Sequence, residues 1–364
     1  MVRFLDLASA YEADRSLIDA ALLRVAASGR YLHGPEAAAF ESEFARFCQT
    51  GHCVGVANGL DALHLGLRVL GVGPGDEVIV PSNTYIATWL AVSQCGATVV
   101  PVEPIEATYN IDPARLVDAV TSRTKVIIPV HLYGQPADLD PILAIARRHG
   151  VEVLDDCAQA HGARYKGRCL GGLADLSAWS FYPGKNLGAF GDAGAVTGAN
   201  GDRIDQVRML GNYGSRLKYH NEAKGYNSRL DELQAAVLAV KLRGLHEAIE
   251  KRRSVASRYL AGMRDLPLVL PAVPSFAEPV WHLFVVRHAD RDNFQRRLRE
   301  RGVETLVHYP VPPHLQPAYS ELGWKPGTYP ISEAIHSAVV SLPVWPGMSD
   351  ESVQDVIDAV RACA

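Results

Sequence analysis

Between residues 53 and 197, short apolar runs alternate with helical segments, and that alternation constrains the fold more tightly than any other feature of the chain. Apolar stretches begin at Cys53 and occupy 77–81, 97–102, 125–130, 151–154 and 195–197. Helical patterns fill most intervals: one opens near Leu60 or Asp61, and others cover 86–94, 112–120 and 138–148. Strands that are apolar on both faces need cover on both faces. The pattern therefore predicts an α/β domain with a mostly parallel, doubly wound sheet. Two helices are expected ahead of it, over 14–27 and 35–48, the second carrying Phe40, Phe44 and Phe47 on one face.

From Arg229 to Met263 a long helical pattern has the form of a connector, and beyond about 265 the texture changes. Residues 280–287 alternate like a half-exposed strand, 291–301 form a charged helix, 303–309 read as a strand, and 332–341 and 350–362 look helical. The expected organisation is a large domain over 1–245, including an N-terminal arm, and a small α+β domain over 246–364.

The formal net charge is −4 and the pI is near 6.4, without the basic stripe that a nucleic-acid partner requires. No run approaches the roughly 20 apolar residues of a membrane helix, and the start lacks the apolar stretch of a signal peptide. A cytoplasmic protein with no membrane or nucleic-acid partner is expected. Six cysteines are scattered without CxxC spacing, so they are read as reduced and structural. Cys157 and His161 lie close in sequence, yet no further ligands stand at matched spacing, and no metal is expected.

Chemistry concentrates at the ends of the apolar runs. Lys185 sits near the centre of a Gly-rich, aromatic run, 177–194, whose single acid is Asp192. An amine there is either a surface lysine in a turn or a Schiff-base nucleophile, which needs a depressed pKa. The Asn58-Gly59 turn precedes a helix, so its amides and the helix dipole can meet an anion; an ordinary strand-to-helix turn would look the same. Tyr85 follows Ser82-Asn-Thr and could stack on a flat ring. The run at 151–154 ends in Asp155-Asp156-Cys-Ala-Gln159-Ala-His161. Asp155 reads as the N-cap of a following helix, and Asp156 as a carboxylate able to keep a ring nitrogen protonated, with Gln159 and His161 supplying polar contacts. Residues 211–228 form a polar loop dense in tyrosine, lysine and arginine, of the kind that carries function.

Taken in order, the Asn-Gly turn, the aromatic after Pro-Ser-Asn-Thr, Asp-Asp-Cys-Ala-Gln-Ala-His, Ser-Phe-Tyr-Pro-Gly-Lys and Gly-Tyr-Asn-Ser-Arg-Leu-Asp-Glu-Leu-Gln resemble the DegT/StrS family of pyridoxal-phosphate-dependent sugar aminotransferases. The resemblance runs from Phe4-Leu-Asp-Leu to His308-Tyr-Pro-Val-Pro-Pro-His-Leu-Gln. It implies the fold type I of the aspartate aminotransferase superfamily: a mostly parallel sheet of the seven-stranded type in a large domain, with a smaller α+β C-terminal domain. It further implies that Lys185 forms the Schiff base and shuttles a proton, and that Asp156 pairs with the pyridinium nitrogen. Tyr85 would lie on the ring, Gln159 near the phenolic oxygen, and Gly59, Leu60 and Ser180 at the phosphate. Asn227 and Tyr213 would reach the cofactor of the second subunit of a homodimer. Many relatives carry threonine where this chain has Leu60, which can offer only its backbone amide.

Relatives acting at the sugar's 3-position share Asn-Gly-Leu-Asp-Ala-Leu and Tyr-Pro-Gly-Lys-Asn-Leu-Gly, whereas those acting at the 4-position more often carry histidine where this chain has Tyr182. The expected acceptor is a nucleotide-linked 3-keto-6-deoxyhexose, with dTDP as the nucleotide, and the expected donor is L-glutamate. Lys218, His220, His308 and Tyr309 are the candidates for contacting that substrate, each with a plain surface role as the alternative. Amination of a 4-keto or 3-keto-uronic nucleotide sugar, and a regulatory relative without catalysis, are the competing readings. A regulatory relative would be expected to lose Lys185 or Asp156, and both are present.

Overall fold

The apolar runs do assemble into one sheet. In the computed structural model, which describes residues 1–364, seven strands pair: β1 (His52–Val56), β2 (Glu77–Pro81), β3 (Thr98–Val102), β4 (Thr124–Ile127), β5 (Glu152–Asp156), β6 (Leu176–Ser180) and β7 (Gly194–Gly198). Their spatial order is β1-β7-β6-β5-β4-β2-β3. Strand β7 runs antiparallel to both neighbours, and the remaining pairs are parallel.

Side chains alternate between two apolar layers, as a doubly covered sheet requires. On one side Trp179 and Ala195 pack with Phe40, Phe44 and Leu238. On the other, Ala178 and Val196 pack with Leu65, Trp89 and Val92. The first layer is covered by α2 (Pro35–Phe47) and α7 (Glu232–Met263), the second by α3 (Gly59–Val69), α4 (Ile86–Gln94) and α6 (Gly201–Gly211). Helix α5 (Leu139–His149) covers a third apolar group behind β4 and β5. The first helix, α1 (Leu7–Ser28), begins seven residues earlier than expected, because Asp6 accepts hydrogen bonds from the N–H groups of Ala8 and Ser9 and so caps the start; its backbone leaves helical geometry at Asp14.

Several local expectations change. The helix read over 332–341 ends at Ala338, and Val339–Leu342 is a buried strand. Residues 112–120 hold only a 3-10 turn, Pro113–Arg115, and one helical turn, Leu116–Ala119, of which Leu116 alone is buried; one anchor does not hold a longer helix. The segment 303–309 makes isolated bridges, Val2 with Val303 and Leu306 with Ser341, instead of a strand. It runs into Pro310, Pro312 and Pro313, none of which can donate to a ladder. Asp155 caps no helix. Strand β5 extends through both acids, and turns follow.

Helix α7 is one unbroken element of 32 residues. Leu238, Leu242 and Leu245 belong to the layer under the sheet, whereas Val255, Tyr259 and Met263 enter a separate core with Phe284, Phe294 and Val356. That second core is built on β8 (Phe284–Arg287), antiparallel to β9 (Val339–Leu342), with α8 (Arg291–Glu300), α9 (Pro330–Ala338) and α10 (Asp350–Cys363) around them. All six cysteines are free and buried. No helix is long and apolar enough to cross a membrane.

Candidate active site

The carboxyl ends of β2, β5 and β6 open onto a cavity of about 860 Å³, whose other wall comes from turns of the second core. Open α/β sheets place ligands at this edge. Gly59, Leu60, Tyr85, Asp156, Gln159, Ser180, Tyr182 and Lys185 all line the cavity, as do His308 and Tyr309.

At one end, Asn58 caps α3 by accepting the Asp61 N–H at 2.8 Å. The Gly59 and Leu60 amides, in the first helical turn, have no intrahelical acceptor, and both residues line the cavity with Ser180 beside Gly59. The turn needs glycine, since a Cβ at position 59 would stand 2.6 Å from the Ser180 Cβ. An open helix N-terminus with an adjacent hydroxyl suits a phosphate.

Asp156 ends β5, buried, with its two oxygens separately held. Oδ2 accepts the Thr88 hydroxyl at 2.9 Å, and Oδ1 accepts the Ala158 N–H at 3.1 Å. Burial raises its pKa, while the Ala158 and Thr88 hydrogen bonds and then the Lys185 charge pull it back. Lys185 sits on a turn whose N–H donates to the Tyr182 carbonyl at 2.8 Å. Its surroundings bury the amine and lower its pKa to about 8, with only Asp156 opposing. A half-buried amine with a lowered pKa that shares a cavity with a buried carboxylate is what a Schiff-base lysine needs near neutral pH.

Tyr85 remains 52% exposed and packs its ring 5.0 Å from that of Tyr309. Gln159 bridges behind them: its Oε1 accepts the Tyr133 N–H at 2.6 Å and its Nε2 donates to the Tyr309 hydroxyl at 3.1 Å. The His308 carbonyl accepts the Tyr133 hydroxyl at 2.5 Å, and its ring pairs with Ser341 at 2.8 Å. Burial lowers the His308 pKa to about 4, so this imidazole is neutral near pH 7.

Other side chains depart from the reading of the sequence. His161 does not reach the cavity; it is buried between Trp179 and Phe181, with both ring nitrogens unpartnered and its pKa pressed to about 3 by burial. Asp155 is buried behind the site, 3.6 Å from His131 Nε2. Together with Cys157 these two make the single buried cluster of metal-type donors. Tyr213, Lys218, His220 and Asn227 lie exposed, outside the cavity of their own chain; Arg229 stacks over Tyr213 at 5.4 Å. Thr88, Arg252 and His282 line the cavity without having been singled out. Thr88 had a signal in the sequence, since it lies one helical turn beyond Tyr85. Arg252 and His282 are brought in by tertiary packing alone.

Comparison with known proteins extends this geometry. The model of the DegT/DnrJ/EryC1/StrS aminotransferase family matches residues 12–361. The dTDP-3-amino-3,4,6-trideoxy-alpha-D-glucose transaminase of Streptomyces venezuelae is 53% identical over 364 residues, covering 100% of this chain and 96% of the relative. The erythromycin biosynthesis sensory transduction protein EryC1 of Saccharopolyspora erythraea is also 53% identical, with both chains covered in full (100%). Among solved structures, S. venezuelae DesV in complex with a ketimine intermediate superposes with a TM-score of 0.98 at 53% identity, covering 99% of this chain and 98% of that one.

Proposed function

Because the chain belongs to the DegT/DnrJ/EryC1/StrS aminotransferase family, we propose that it is a pyridoxal-phosphate-dependent transaminase placing an amino group on C3 of a dTDP-linked 3-keto-6-deoxyhexose, with L-glutamate as donor. One observation carries the reading: a lysine with a lowered pKa, a buried carboxylate and an open helix N-terminus face one cavity. The residues fit the cofactor. Gly59 and Leu60 amides with the Ser180 hydroxyl suit its phosphate, and Tyr85 supplies an exposed aromatic face.

Pyridoxal phosphate, when bound, supplies an electron sink for carbanion chemistry. The chain's own groups do the rest. Asp156, held by Thr88 and Ala158, would keep a proton on the pyridine nitrogen. Lys185 Nζ would take the proton from the reacting carbon of the donor and pass it to the cofactor in one half-reaction, and deliver a proton from the cofactor to the sugar carbon in the other, which its lowered pKa permits. Tyr309 and Tyr85, in mutual contact, form one side of the cavity. Tyr182, which lines the cavity and is 59% exposed, would touch the sugar.

The exposed segment carrying Tyr213, Lys218, His220 and Asn227 belongs in this reading to a homodimer, in which it serves the other subunit's cavity. Exposed Leu217 and Tyr219 within it favour a covered face. The chain is further read as a large domain over 1–245 and a small one over 246–364, acting in the cytoplasm.

The test is direct. Protein incubated with pyridoxal phosphate should turn yellow and aminate a dTDP-3-keto-6-deoxyhexose with glutamate. A colourless protein would overturn the reading, and equal turnover of 3-keto and 4-keto sugars would remove the positional assignment.

A further inference from the structure

Lys185 and Arg252 are the only lysine or arginine on the cavity wall. Arg252 projects from α7 and is 4% exposed. Its Nη1 donates to the carbonyls of Val344 at 2.6 Å and Trp281 at 3.1 Å, and lies 3.5 Å from that of His282. Nε and Nη2 make no hydrogen bond to the protein. No carboxylate forms an ion pair with it. Glu304, on the same wall, instead accepts the Phe4 N–H at 3.1 Å. Burial alone acts on the guanidinium, lowering its pKa to about 10 with no opposing charge. Arg203, which is only partly buried, is paired with Glu152 and Asp175, whereas Arg252 is more deeply buried and has no such partner. A desolvated cation without a counter-ion is costly, so the missing anion is one that comes and goes.

The anion can be assigned by place. The phosphate end of the cavity has the α3 N-terminus and Ser180. An α-amino acid donor also brings a carboxylate, which has to be held while its amino group is near Lys185. His282 lines the same cavity as both cations: its carbonyl is 3.5 Å from Arg252 Nη1, and Lys185 and Arg252 both help burial to lower the pKa of its ring. The remaining histidine of the wall, His308, is neutral. We propose that Arg252 binds the carboxylate of the amino donor through its free Nε and Nη2 edge, as a planar fork matched to two carboxylate oxygens. The inference rests on the transaminase reading above.

The test uses yellow holoenzyme and the half-reaction with L-glutamate, followed by loss of the cofactor band. Arg252→Gln should raise the half-saturating glutamate concentration about 100-fold and Arg252→Lys about 10-fold, as loss of charge-assisted hydrogen bonds implies. Both shifts should exceed those seen when the aminated enzyme is titrated with the nucleotide keto-sugar. Glutarate, which has the carboxylates but no amine, should raise the melting temperature of wild-type holoenzyme and not that of Arg252→Lys. Should Arg252→Gln fail to fold, Arg252→Lys, which keeps a cation for the three carbonyls, and the glutarate shift still decide. A wild-type glutamate dependence together with a wild-type glutarate shift in Arg252→Lys would overturn the proposal, as would a larger effect on the sugar than on glutamate. A wild-type protein that never becomes yellow would instead overturn the transaminase reading itself.

Discussion

The two walls of the cavity are built by different means. The sheet-side wall has Asp156 and Ser180 at strand ends whose positions follow from the ladder, and Gly59 and Lys185 on the helix start and turn that directly follow such strands. The opposite wall, with Arg252, His282, His308 and Tyr309, is made of turns and one helix face. It is held by side chains bonded to carbonyls, such as Tyr133 to His308 and Arg252 to Val344. Backbone pairing fixes the groups that must meet a cofactor of constant shape. Side-chain pairing can be altered one residue at a time without disturbing the sheet, and that suits the wall that meets substrates.

The contrast breaks if substitutions on the two walls have the same effects. Lys185→Ala should cause the largest loss, on the order of 10³-fold or more in turnover, together with the visible cofactor band. In the wild-type apo-protein, capture of pyridoxal phosphate should quicken as pH rises through about 8, because the lowered pKa makes the amine neutral above that value; a rate flat from pH 6 to 10 would contradict it. Asp156→Asn should lower turnover on the order of a hundredfold with the fold intact by circular dichroism, since an amide cannot keep the ring nitrogen protonated. Gly59→Ala should weaken cofactor binding about tenfold and cost about 1–3 kcal/mol of stability by crowding Ser180, read by equilibrium dialysis and denaturant titration.

On the turn-built wall, Tyr133→Phe removes one hydrogen bond to the His308 carbonyl. It should cost about 1 kcal/mol in stability and raise KM for the sugar more than it changes cofactor affinity. Smallest of all, Gly244→Ala should stabilise the protein by about 0.5–1 kcal/mol, because position 244 is helical and an added Cβ meets nothing within 4 Å.

The same division explains what the sequence disclosed. Lys185, Asp156, Gly59 and Tyr85 were legible because strand-to-turn junctions write chemistry into short contiguous segments. The seven-stranded sheet was legible because burial on both faces leaves unbroken valine and isoleucine runs such as 77–81. Asp155 was misjudged because a strand end and a helix cap look alike when acids are adjacent. His161 was misjudged because proximity to Gln159 in sequence says nothing about which face of the turn it takes; it joins the aromatic layer. Arg252 gave no signal, as it lies amid Glu250, Lys251 and Arg253 in what reads as a solvated helix face. Only the carbonyls of Trp281 and Val344, far along the chain, distinguish it from them.

The unbroken α7 also has a mechanical meaning. Gly244 lies on the stretch packed under the sheet, where Leu242, Leu245 and Ile249 belong to one layer and the second core begins only at Val255, and its missing side chain makes that point of the shaft compliant. Arg252 is eight residues farther on, about 12 Å at ~1.5 Å per residue, so a bend of about 5° at Gly244 would displace its Cα by about 1 Å. The helix is thus a lever with its fulcrum in one core and its working end on the cavity wall, and stiffening the fulcrum would alter the reach of that end.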